Sequence, residues 1–457
     1  MARMDIVRTG LSLATASCLF IALEASTAIA QVKTSDHVTP GGIPFRHALM
    51  PRARTQTIQF GWHDGYSFSL KEGHAAGSWG AGMIMQGPAG SSRAEFEEDA
   101  KDAQARMSLQ SNFRNTFGSI GAPPEKMDDA ITLFGRALSS PALDPDRLKE
   151  RIANRKAEIR QARVKAQTLA SDIGAYLFLA PGPARQWRLG DDAILDAVTI
   201  ERIEAWRKAV LTRQGLKVAV AGPEPTEKVA AQIDRLLGQL PVKGAEARSN
   251  SIPIQHSAKS VALAAPVPQT YLLIGGWSAF SRNEDPFTAD MLTKILRERL
   301  FKAVREKLGA AYGASVRLSA VGADTLFFSA SAAVEHEKAA DALAAIRTEL
   351  ARFLADGITQ AELDPQKEKL ISDTRQSMRR APYVARLLRN AMLENLPADH
   401  VETTEKQITA ISLDHVNKAI REKLGGGSLA TIIITPAVGV FNADCIVKAA
   451  AEAETCR

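Results

Sequence analysis

Arg305 and Tyr312 flank Gly309 in the stretch LRERLFKAVREKLGAAYGASVRL, Leu296 to Leu318. Both side chains donate hydrogen bonds, and the guanidinium keeps its charge at any ordinary pH. Held close together, they suit a peptide carbonyl or the oxyanion it becomes under attack. The pattern also predicts what holds them: a charged helix closing at Arg305, a turn at Gly309, then a strand alternating through Tyr312, Ala314, Val316 and Leu318.

Other candidates for chemistry are sparse. The eight histidines include no pair at i, i+4, so no helical turn presents two imidazoles to one metal. His63, beside Asp64, and His74 offer at most a scattered site, and isolated turn histidines are the simpler reading. There is no G-x-S-x-G elbow and no G-x-G-x-x-G at a strand–helix junction, which leaves serine-hydrolase and dinucleotide readings without support. Cys445 and Cys456 lie close together near the C-terminus. An oxidising compartment favours their pairing. A straight helix between them would hold them too far apart, so a disulfide requires the tail to bend back.

The compartment is read from the other end. Arg3 and Arg8 precede an apolar run from Leu11 to Leu23, and Ala28-Ile29-Ala30 forms a cleavage signal before Gln31. The run is too short to span a bilayer, no other stretch is long and apolar enough, and the residues before Cys18 do not make a lipid anchor. The expectation is an exported, periplasmic protein cleaved after Ala30, with no stable membrane anchor. At 457 residues, 45% hydrophobic and 24% charged, the chain has room for two or more domains with real cores. Its charge of +6 is mildly basic. Without a Lys/Arg block, zinc-finger spacing or RNP-like motif, a nucleic-acid partner is set aside.

The elements follow from periodicity. Ile58, Phe60 and Trp62 read as one face of a strand, with Tyr66 to Leu70 as its hairpin partner and Gly73 to Gly90 as a glycine-rich loop. Ser92 and Glu95 form a capping box opening a helix through Leu109, and Pro123-Pro124 starts another. Leu143-Asp144-Pro145 opens one long basic helical stretch toward Phe178; Thr199 caps a helix; Leu216 to Ala221 is an apolar strand. After a polar linker the order returns. Tyr271 to Trp277 echoes the strand ending at Trp62, and Leu363-Asp364-Pro365 echoes Leu143-Asp144-Pro145 as a helix start. Ser412-Leu413-Asp414 echoes Thr199-Ile200-Glu201, and Ala430 to Thr435 echoes Leu216 to Ala221. Four landmarks repeating in one order, each after roughly 200 residues, predict two copies of one domain. The class is α+β: two homologous domains, each an antiparallel-rich sheet packed with helices, forming a clamshell. The boundaries are a signal peptide 1–30, a first domain 31–240, a linker 241–256, a second domain 257–437 and a tail 438–457. Trp62, Trp206 and Trp277 are expected in the core.

ILRERLFKAVREKLGAAYGASV resembles the second-domain signature, ending R-E-K-x-G-x-x-Y, of the insulinase, pitrilysin and mitochondrial-processing-peptidase group of zinc metallopeptidases. LFGRALSSPALDPDRLKERIANRKAEIRQAR is similar to the group's paired helices after the catalytic segment, and DGITQAELDPQKEKL to the corresponding region of the second half. The resemblance implies that Arg305 and Tyr312 reach toward bound peptide. Active members carry an inverted motif, H-x-x-E-H, whose histidines bind zinc and whose glutamate is the general base. Here the matching residues are Ser78-Trp79-Gly80-Ala81-Gly82, without a His or Glu, and Gly80 and Gly82 make a helix improbable. Glu158 falls where a third ligand is expected, and alone it cannot hold zinc.

The resemblance implies a non-catalytic, substrate-binding subunit of a periplasmic heterodimeric zinc metallopeptidase. It would have no catalytic residue or cofactor of its own, with zinc in a partner carrying H-x-x-E-H. The competing reading is a solitary peptide-binding or envelope-assembly scaffold, and a self-sufficient enzyme with an unrecognised site ranks last. The basic helix bearing Arg147, Lys149, Arg151, Arg155, Lys156, Arg160 and Arg163 would then either be solvated or line the chamber and favour acidic peptides.

Overall fold

The computed structural model describes residues 32–67, 72–244, 252–281, 285–306, 308–309, 311–320, 325–424 and 427–456, with the backbone alone for Ala311 and Tyr312. Residues 1–31, where a signal peptide is expected, most of Tyr66 to Leu70, part of the expected linker, Gly425-Gly426 and the Tyr312 side chain lie outside the described residues.

Two six-stranded sheets form the frame. The first contains β1 (Thr34–Val38), β2 (Pro44–Leu49), β3 (Gln56–Trp62), β4 (Arg106–Ser111), β5 (Thr116–Ala122) and β6 (Lys217–Gly222), in the order β1-β2-β6-β3-β5-β4. The second contains β7 (Ser260–Ala264), β8 (Thr270–Ser281), β9 (Ala311–Ala320), β10 (Thr325–Val334), β11 (Ala430–Thr435) and β12 (Cys445–Val447), in the order β12-β7-β11-β8-β10-β9. Five strands correspond one to one. In each sheet the last long strand runs parallel to the first member (β6 with β2, β11 with β7) and antiparallel to the second (β6 with β3, β11 with β8). The duplication read from the sequence is therefore a duplication of topology, and the class is mixed α and β in two similar lobes. The copies differ at one edge: β1 pairs antiparallel with β2, whereas β12, from the C-terminal tail, pairs parallel with β7.

The apolar strands at the centres are buried on both faces. Along β6, Val218 and Val220 enter one core and Ala219 and Ala221 another; along β11, Ile433 faces one core and Ile432 and Ile434 the other. Each lobe's own helices cover one face, which is what a continuous apolar run requires on that side. The opposite face is covered by a helix from the other half. Helix Ala381–Leu393 lies on the first sheet, and helix Ala166–Phe178 lies on the second. Polar contacts seal both exchanges. Trp277 Nε1 donates to Phe178 O at 3.2 Å and Gln255 O at 2.8 Å. Arg389, 6% exposed, donates to Gln59 Oε1 at 2.6 Å, and its guanidinium carbon stands 4.5 Å from the centre of the Phe117 ring. Burial, with Arg386 nearby, pushes the Arg389 guanidinium down to about 10, so it remains charged at neutral pH. Trp62, Trp206 and Trp277 are core residues.

Several local expectations change. The helix capped by Ser92 ends at Asp102, and Gln104, at φ 48°, turns the chain into β4, so Leu109 is a strand residue. Strand β3 pairs with β5 and β6, while Tyr66 and Ser67 donate backbone bonds to Asn112 and Phe113. The basic stretch toward Phe178 is two helices, Pro145–Ala162 and Ala166–Phe178. The helix expected to open at Leu363 opens at Gln360, because Thr359 and Glu362 form the capping box and Pro365 sits inside it.

Candidate functional site

Residues 76–84 form an α-helix, contrary to the expectation from Gly80 and Gly82. Packing overrides propensity here. A Cβ added to Gly77 would stand 2.6 Å from Trp206 Nε1, and one added to Gly80 2.6 Å from Trp206 Cε3. The glycines let the indole, 1% exposed, lie against the helix backbone. His74 accepts from Ala76 N at 3.3 Å and so supports the helix start. Burial lowers its pKa.

On this helix Ser78 and Gly82 are the partly exposed positions, with Trp79, Gly80 and Ala81 buried between them. Zinc ligation there would need imidazole or carboxylate lone pairs, and the residues present supply one hydroxyl, an indole N–H and no ring nitrogen acceptor. They do not fit a zinc ion. Glu158 lies on helix Pro145–Ala162 with its side chain 65% exposed, paired with Arg155 at 3.2 Å. His63 meets Asn115 Oδ1 at 3.2 Å and the Leu393 carbonyl, so His63 and His74 serve separate contacts. Among the described residues no group of three His, Cys, Asp or Glu is placed to hold a metal.

Arg151 approaches this helix instead. A Cβ on Gly82 would stand 2.9 Å from Arg151 Nη2, and the Arg151 guanidinium carbon lies 5.9 Å from the Trp79 ring centre. In sequence Arg151 is one of seven cations on the basic helix, with nothing to separate it from the others. Other members of that helix have acidic partners: Lys156 with Asp196 at 2.7 Å, Arg155 with Glu158, and Arg163, at the helix end, with the buried Asp172 at 3.3 Å. The signal that separates Arg151 is the glycine facing it.

At the second candidate, helix Pro286–Phe301 runs into a π-helical turn, Lys302–Glu306, which buries Ala303 and Val304 and leaves Arg305 exposed. The Arg305 guanidinium carbon stands 5.2 Å from the Phe301 ring centre. Gly309 N donates to Arg305 O at 2.9 Å, and Lys338 Nζ donates to Gly309 O at 3.1 Å. Gly309 has φ +56°, a left-handed conformation that glycine adopts without strain. Edge strand β9 follows, carrying the Tyr312 backbone and turning Ala314, Val316 and Leu318 into the lobe's core. The helix–turn–strand corner is therefore present, with a π turn where a simple helix end was expected.

The C-terminal tail bends back: β12 leads into a 3₁₀ turn, Ala450–Cys456, and a disulfide joins Cys445 to Cys456 with Cα atoms 5.9 Å apart.

Residues 197–370 match the protein family described as Peptidase M16 inactive domain, a span that includes Arg305 and Tyr312. No curated protein sequence matches the chain significantly. The fold is similar to the crystal structure of a peptidase M16 inactive domain from Pseudomonas fluorescens, with TM-score 0.77, 18% identity, and coverage of 89% of this chain and 98% of that one. It is similar to a protease from Helicobacter pylori, with TM-score 0.74, 16% identity, and coverage of 89% and 100%. It is also similar to the periplasmic protease PqqL from Escherichia coli, with TM-score 0.74 and 14% identity, covering 96% of this chain and 49% of that one, so this chain spans about half of PqqL. The chain thus shares its fold with these M16-like structures, residues 197–370 match the family described as Peptidase M16 inactive domain, and the sequence carries no H-x-x-E-H motif.

Proposed function

We propose that this chain is the non-catalytic, substrate-binding subunit of an exported, periplasmic zinc metallopeptidase, paired with a subunit that carries H-x-x-E-H. The observation that carries the reading is the helix Ala76–Ile84. It keeps its place in the lobe, packed on Trp206, yet bears Ser78, Ala81 and Gly82 where zinc ligands and a general base would stand. A fold retained around a lost metal site is what a binding partner needs and a lone hydrolase cannot use. Arg305, exposed at the end of its helix, supports the second half of the reading. With Tyr312 it would donate to a carbonyl of the substrate held in the assembled chamber. Among the described residues no helix is long and apolar enough to cross a membrane.

The test is zinc analysis and peptidase assay on this chain alone, then with the H-x-x-E-H subunit. The expected result is no zinc and no turnover alone, and faster turnover by the pair than by the partner alone. Stoichiometric zinc with peptidase activity in the lone chain would overturn the proposal. Partner turnover unaffected by this chain would leave a solitary peptide-binding module.

A further inference from the structure

The helix standing where zinc ligands would be has exchanged acceptors for donors. Trp79 Nε1 is buried and meets no acceptor among the described residues, and the same holds for Arg151 Nε. The two groups are neighbours, with the Arg151 guanidinium carbon 5.9 Å from the Trp79 ring centre. Arg151 forms no salt bridge with a described carboxylate, unlike Arg155 and Arg163 nearby on the chain. A half-buried cation without a counter-charge, beside a second orphaned N–H, is unfavourable unless something supplies both charge and lone pairs. Gly82 makes the arrangement possible, because any side chain there would begin 2.9 Å from Arg151 Nη2. A metal ligand at position 82 and this placement of the arginine exclude one another.

Resting on the peptide-binding reading above, we infer that the Arg151–Trp79 corner binds a carboxylate of the bound peptide, either a C-terminal carboxylate or an acidic side chain. The terminal N–H groups of the guanidinium match two carboxylate oxygens, and the buried indole N–H beside it leaves the corner short of an acceptor. The former cation site thus becomes an anion site. It gives the subunit a preference for one chemical class of peptide.

The purified full chain is titrated with peptides of one sequence carrying a neutral fluorophore, in three forms. One bears glutamate and an amidated end, one bears glutamine and a free carboxylate end, and one bears glutamine and an amidated end. At least one carboxylate form should bind about tenfold tighter than the uncharged form, as a charge-assisted bidentate contact implies. Whichever form gains identifies the source of the carboxylate. Arg151→Met should erase the difference, Arg151→Lys should keep part of it, and Trp79→Phe, which removes only the N–H and a little area, should weaken it. Equal binding of all three forms, or a preference that survives Arg151→Met in a chain melting like the wild type, would overturn the inference and leave the peptide-binding reading intact. If Arg151→Met does not fold, an unchanged preference in Trp79→Phe together with one lost in Arg151→Lys would also overturn the paired site. No binding of any form, by this chain or by the assembled pair, would overturn both.

Discussion

Gly80 lies directly beneath Trp206: a methyl group added to the glycine would begin 2.6 Å from the indole Cε3. Trp206 is held by the core on its other side and cannot retreat. Gly80→Ala should therefore destabilise the first lobe by about 1–3 kcal/mol despite alanine's better helix propensity. Chemical denaturation followed by tryptophan fluorescence measures this. A neutral or stabilised Gly80→Ala protein would show that the helix has room to shift.

At the other candidate corner, Arg305→Ala should slow turnover by the assembled pair about 100-fold, the scale of losing one oxyanion donor. The lone chain should stay folded, with at most a small loss of stability from the guanidinium's contact with the Phe301 ring. Tyr312→Phe should act in the same direction. Steady-state kinetics of the reconstituted pair check both, and unchanged kcat in either variant would remove that residue from substrate contact.

Acid should loosen the second lobe through Glu362. Its hydrogen bonds from Arg299, at 2.6 and 2.7 Å, and from Thr359 hold its carboxyl down to about 2, against an ordinary 4.5. A carboxyl depressed in the folded state stabilises fully above its unfolded value, and that stability is lost as pH falls from about 4.5 toward about 2. Allowing for its partial exposure, the contribution is about 1–2 kcal/mol. Glu362→Gln should lower the urea midpoint at pH 7, and the gap to wild type should close toward pH 2.5. A gap independent of pH would assign the loss to the helix cap alone.

The repeat was legible because its landmarks are local: a cap at Thr199 and Ser412, and an apolar run before Pro223 and Pro436, each carry a physical signal readable in a few residues. The corner of Arg305 was legible for the same reason, although the π turn was not, since nothing in a helical pattern separates one hydrogen-bond step from the next. The helix at 76–84 was missed because two glycines argue against a helix unless one knows what presses on them. Trp206 is far away in sequence and its packing is invisible there. Arg151 was missed similarly: seven cations on one helical stretch look alike until a facing glycine admits one of them. The apolar runs at β6 and β11 were legible as strands, but nothing in them says that the cover on one side comes from the opposite half.

That exchange of helices has a consequence for how the protein is made and broken. Either half produced by itself would expose a wide greasy floor, the one around Ala219 and Ala221, the other around Ile432 and Ile434, and such a surface invites clumping. Once both are in place, the peptide link joining them is no longer what keeps them together. A polypeptide severed after residue 244 should still travel as one particle.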